Sequence, residues 1–111
     1  MTSVEDYFNA RTGYRQIVET VQSTSFTADR NQIYKIDTTG GAFSVTLPAT
    51  PTEGDEIGFL FVNGSDPLQE ALTCGRNGSE IEDASEDLVW DIAVKYFSLQ
   101  YATQDGWKVK L

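Results

Sequence analysis

The densest chemical potential in this chain lies in its carboxylates. Glu80, Glu82, Asp83, Glu86, Asp87 and Asp91 place six acids within one twelve-residue stretch. Calcium takes roughly six to eight hard oxygen ligands, so such a run is a candidate cation loop, with Glu80, Glu82, Asp83, Glu86 and Asp87 as its donors. The spacing departs from an EF-hand loop, which needs a set alternation of acids, a central glycine and a closing glutamate. A solvated acidic loop is therefore the better reading, with calcium or a basic partner surface first among its ligands. Paired carboxylates also suit glycoside hydrolysis. That chemistry needs a long groove lined with aromatics, which 111 residues hardly provide. The chain has no histidine, which excludes serine–histidine and cysteine–histidine nucleophiles. Gly40-Gly41 is followed neither by a helix nor by a Lys-Ser/Thr pair, so it is no phosphate cradle. Surface carbohydrate binding through Tyr or Trp faces stays open, although no cluster marks it. The expectation is a protein that is not an enzyme and holds no cofactor.

Composition narrows the partners. The net charge is −9, and phosphates would be repelled by such a surface, so nucleic acid is not expected. The same charge keeps copies apart by self-repulsion and leaves basic partners open. Cys74 is alone, which excludes an internal disulfide framework and a zinc cluster; in a strand it reads as a small buried hydrophobe. Residues 1 to 13 lack an apolar run and carry Glu5 and Asp6, so no secretory signal is expected. No window approaches the roughly 20 apolar residues of a membrane span. Asn63-Gly64-Ser65 and Asn77-Gly78-Ser79 match a glycosylation pattern, but turn chemistry is the better reading of both.

The elements that must position these groups are short and β-rich. Candidate strands are 24–28, 32–38, 42–48, 56–62, 70–75, 87–92, 94–102 and 106–111. In QIYKIDTTGGAFSVTLPATPTEGD, Tyr34 and Ile36 alternate with Lys35 and Asp37, and Phe43, Val45 and Leu47 alternate with Ser44 and Thr46. The Gly40-Gly41 pair between them supplies the positive φ angles of a two-residue hairpin turn. Further turns are expected at Glu53-Gly54-Asp55, Asn63 to Pro67, Arg76 to Ser79 and Asp105-Gly106. Parity assigns Ile57, Phe59 and Phe61 to the core, then Phe97, Leu99 and Tyr101, and Trp107, Val109 and Leu111. Gly58 inside a strand signals a bulge or a close approach. Trp90 suits either core or interface.

Short strands at this spacing predict an all-β fold, either sandwich or barrel. The expectation is an antiparallel β-sandwich of jelly-roll type with about eight or nine strands, over residues 23–111. Residues 1–22 read as an N-terminal arm. Ser3 to Asp6 resembles a capping box, and Val4, Tyr7, Phe8 and Arg11 follow at helical spacing. Tyr14 to Gln22 is β-branched and ambiguous between helix and strand. A short helix or extended arm is expected, followed by a first long strand. The arm carries a net charge of only −1, from three acids and two arginines. Tyr7, Phe8, Arg11, Tyr14 and Arg15 are types enriched in interface cores, so they are the candidate partner-binding residues. Folding back of the aromatics onto the sandwich is the alternative.

The segment TTGGAFSVTLPATPTEGD, together with Thr73 to Ile81 (TCGRNGSEI) and Glu86-Asp87-Leu88, resembles the small β-modules of tailed-bacteriophage virion proteins. Such modules occur in head decoration (cement) proteins and in tail fibres, and the likeness spans about residues 24 to 111. The resemblance implies a non-enzymatic virion structural protein on the particle surface, made in the host cytoplasm. As a decoration protein it would be a homotrimer anchored on the major capsid protein through the arm, reinforcing the lattice. The initial Met, the last strand at the chain end and the lack of a repetitive shaft favour that role over a fibre. The alternative is a tail fibre, adaptor or receptor-binding module whose partner is a tail protein or a host surface glycan. A free-standing binding module is a third class.

Overall fold

A computed structural model describes residues 16–111 of the chain. The expected N-terminal helix and the candidate residues Tyr7, Phe8, Arg11, Tyr14 and Arg15 lie outside the described residues. Within them the protein is all-β, with nine strands: β1 Gln16–Gln22, β2 Phe26–Thr27, β3 Gln32–Ile36, β4 Phe43–Thr46, β5 Glu56–Phe61, β6 Leu72–Gly75, β7 Leu88–Trp90, β8 Tyr96–Ala102 and β9 Gly106–Lys110. They form a five-stranded sheet in the order β1-β3-β5-β8-β9 and a four-stranded sheet in the order β2-β4-β6-β7.

The ladders correct the antiparallel, jelly-roll expectation. β1·β3, β3·β5, β2·β4 and β4·β6 are parallel; only β5·β8, β6·β7 and β8·β9 are antiparallel. The first six strands alternate between the two sheets, so each lies parallel to the strand two before it. The chain coils across the core until β7, β8 and β9 close it in antiparallel fashion. Gly40-Gly41 is consequently not a hairpin turn. It carries the chain from β3 in the larger sheet to β4 in the smaller, with the Gly41 N–H donating to Thr38 O at 3.0 Å. The physical reason is that an arch across a core buries the same alternate residues that a hairpin would. Asp105-Gly106 does turn β8 onto β9 as expected, with Asp105 N–H donating to Ala102 O at 3.0 Å.

Alternation places the core where parity puts it. Tyr34, Ile36, Val45, Leu47, Ile57, Phe59, Phe61, Phe97, Leu99 and Trp107 are all buried, and residues of both sheets share one cluster. Trp90 of the smaller sheet stacks on Phe97 of the larger at 3.9 Å between centroids, with planes 14° apart. Its indole N–H donates to Val94 O at 2.9 Å, so Trp90 is a core residue with its polar end satisfied. Cys74 is fully buried, and that burial pushes its thiol well above the ordinary range, with Asp87 adding to the rise. Leu111 departs from the inward pattern at 83% exposed, because it lies past the end of β9.

The stretch left ambiguous in the sequence is strand from Gln16 onward. β1 pairs with β3, so the body begins no later than Gln16, seven residues before the boundary at 23. At the other side of β3, Asp37 ties two crossover turns together. Its carboxylate accepts the Thr39 N–H at 2.9 Å, the Thr39 hydroxyl at 2.6 Å and the Asn63 amide at 3.1 Å. Those hydrogen bonds, led by the Thr39 hydroxyl, hold its pKa below the ordinary carboxylate value.

Candidate interaction surface

The outward face of the five-stranded sheet is built from the residues that parity leaves over. Paired residues share a face, so the ladders define its rows. One row runs Ile17, Ile33, Gly58, Ser98, Lys110; a second runs Val21, Lys35, Leu60, Tyr96; a third runs Glu56, Gln100, Lys108. Ile17 is 52% exposed, and Val21, Leu60 and Tyr96 are each more than a third exposed. Gly58 makes room for this surface. A Cβ there would come within 2.5 Å of the Tyr96 hydroxyl, so the tyrosine lies across the glycine rather than standing off the sheet. The expected close approach at Gly58 is thereby identified.

Cations flank the apolar rows. Three of the chain's eight lysines and arginines, Lys35, Lys108 and Lys110, stand on this one face of a chain with net charge −9. Lys110 Nζ lies 3.5 Å from the Glu56 carboxylate, whose other oxygen accepts the Ser98 hydroxyl at 2.9 Å. Glu56 and Ser98 are buried, so this chain of contacts satisfies polar groups beneath Lys110. The opposite outward face, on the smaller sheet, pairs Thr27 with Thr46 and Ser44 with Thr73 and Val89, and carries no charge in those rows. The two outward faces therefore differ in kind.

The acidic run occupies a position beside β9 rather than a ligand site. Ile81 and Ala84 exchange backbone hydrogen bonds at 3.0 Å around Glu82 and Asp83, which both have positive φ. That is the backbone of a tight primed turn, usually made by Asn-Gly. It is held by β9: Trp107 N–H donates to Glu80 O at 2.8 Å and Glu82 N–H to Trp107 O at 2.9 Å. The Glu82 carboxylate accepts the Val109 N–H at 2.7 Å, and Asp83 meets Lys108 Nζ at 2.8 Å. Asp87 accepts the Arg76 N–H at 2.9 Å. Among the described residues no group of three or more His, Cys, Asp or Glu is arranged to hold a metal ion. The carboxylates of Glu82, Asp83 and Asp87 point to separate internal partners.

Of the sequence-predicted residues, the structure thus places Glu82, Asp83 and Asp87 in structural roles, while the five arm residues lie outside the described part. The sequence reading missed the face formed by Ile17, Val21, Leu60, Tyr96 and Lys35. A signal was present in β5, where Leu60 is the apolar residue at an outward parity position. Neither protein-family models nor curated proteins give a match to this chain.

Proposed function

We propose that this chain is a non-enzymatic structural protein of a tailed-phage virion, a head decoration protein that binds the capsid lattice and reinforces it. The observation that carries the reading is one of placement. The aromatic and arginine-bearing residues Tyr7, Phe8, Arg11, Tyr14 and Arg15 precede Gln16 directly, and Gln16 opens the edge strand beside the apolar, lysine-bearing face. The arm's sequence thus leads directly into the sheet that carries this face. In this account residues 1–15 anchor in grooves of the major capsid protein, and the acidic remainder faces solvent. Homo-oligomerisation belongs to the proposal; its order, three by the resemblance and two by pairing at the β1 edge, is decided by solution mass.

The test is co-sedimentation of the full chain with bare phage heads, beside a chain lacking residues 1–13. The full chain is expected to pellet with heads and raise their resistance to heat, and the truncated chain to stay folded but remain in the supernatant. Equal pelleting of both removes the anchor. Binding to tails or host glycan without binding to heads replaces the reading with that of a tail module.

A further inference from the structure

The five-stranded sheet has two edges, and they are treated differently. Along β9 the Trp107 N–H and C=O and the Val109 N–H are occupied by Glu80, the Glu82 backbone and the Glu82 carboxylate. That edge is sealed against another strand. At the other edge stands β1, with no strand beyond it among the described residues and no proline in QIVETVQ. Gln16 N–H donates to Asn31 O at 3.1 Å and Gln22 O accepts from Asp37 N–H at 2.9 Å, so both turn toward the β3 side. Between Val18 and Val21 the register shifts, and Glu19 and Thr20 form a bulge of two residues that β3 does not match. The neighbours of Gln16 and Gln22, Ile17 and Val21, then turn their backbone groups to the open side, on either flank of the bulge at Glu19-Thr20.

The sequence of β1 reads nearly the same in both directions about Glu19. Gln16 matches Gln22, Ile17 matches Val21, and Val18 matches Thr20. Two chains at −9 repel, and β1 adds little to that repulsion. β1 bears one charge, Glu19, already 3.4 Å from Lys35.

We propose that the partner of this edge is a second copy of the chain, added antiparallel to β1 about a twofold axis at Glu19. The two five-stranded sheets then become one continuous sheet. Ile17 lies opposite Val21 of the second copy, and the two Glu19 side chains meet between the two Lys35 ammonium groups. This inference does not rest on the virion reading, and its failure leaves that reading standing.

The register is tested by cysteine cross-linking of the full chain, since the native Cys74 thiol is buried and unreactive. Under mild oxidation Glu19→Cys is expected to convert to a disulfide-linked species of twice the chain mass, because the introduced thiols face each other. Ile17→Cys alone stays unlinked, whereas Ile17→Cys mixed with Val21→Cys links. All three positions are exposed, and unchanged circular dichroism of the reduced variants shows that each is folded. Failure of folded Glu19→Cys to link overturns the proposal, as does linking of Ile17→Cys alone at an equal rate.

Discussion

The Glu82 carboxylate accepts the Val109 N–H at 2.7 Å and so occupies a hydrogen-bonding position that a neighbouring strand would otherwise take. The contact explains why a glutamate tolerates φ of 50°. Its own N–H is bound to Trp107 O, and its side chain to the next outward donor of the same strand. An acidic run that looks like a ligand loop in the sequence is in the fold a strap along a sheet edge.

Glu82→Ala removes the side-chain half of that strap while leaving a Cβ in the left-handed region. The expected loss is about 1–2 kcal/mol, read by chemical denaturation, together with slow aggregation through the exposed β9 edge. Stability and solubility equal to those of the parent would show that the strap does not protect the edge.

Gly106 has φ of +77° and its Cα faces the Glu80 carbonyl so closely that a Cβ would collide with that oxygen. Gly106→Ala therefore strains the β8–β9 turn and pushes the strap away together. A loss of about 1–3 kcal/mol is expected, with hydrogen exchange at Trp107 and Glu82 accelerating ahead of exchange in β5. Uniform acceleration would argue that the turn and strap are not coupled.

Phe97 packs against Trp90, Phe59 and Phe61 and joins the larger sheet to the smaller through Trp90. Phe97→Ala should cost about 3–5 kcal/mol, a large share of the roughly 5–15 kcal/mol that a domain of this kind has. Denaturant midpoints would measure it, and near-ultraviolet dichroism from Trp90 should fall with it. A loss below 1 kcal/mol would contradict this ring as the junction.

Much of the core was legible because strand parity is a local property. Ile57, Phe59 and Phe61 on β5 can be assigned from six consecutive residues, and all three are buried. Sheet membership was not legible. The residues around Gly40-Gly41 satisfy both a hairpin and an arch, and only the non-local pairing of β3 with β5 decides between them. The edge role of Glu82 and Asp83 was equally hidden, since Asp tolerates positive φ but Glu does not favour it, and the pair lacks the Asn-Gly signature of such a turn. Ile17 and Val21 stood in a segment open to either helix or strand, so the face they share with Leu60 and Tyr96 could not be assembled.

Asp37 links stability to pH. Its folded pKa is depressed, so it contributes stability that is present above the unfolded carboxyl value, about 3.9, and is lost as pH falls through the folded value. Asp37→Asn should be less stable than the parent at neutral pH, and the difference should shrink as pH falls below about 4. Melting temperatures of both proteins across that range check it. A difference that stays constant with pH would remove Asp37 from the linkage.

The larger sheet has one sealed edge and one with no further strand among the described residues, and the latter meets its own kind. The most direct measurement is the solution mass of the full chain and of Val21→Lys by light scattering after size exclusion. A parent near twice the 12.3 kDa chain mass, falling to the single-chain mass in Val21→Lys, is the predicted result. A parent of one or three chains, or a pair that survives the substitution, would contradict it.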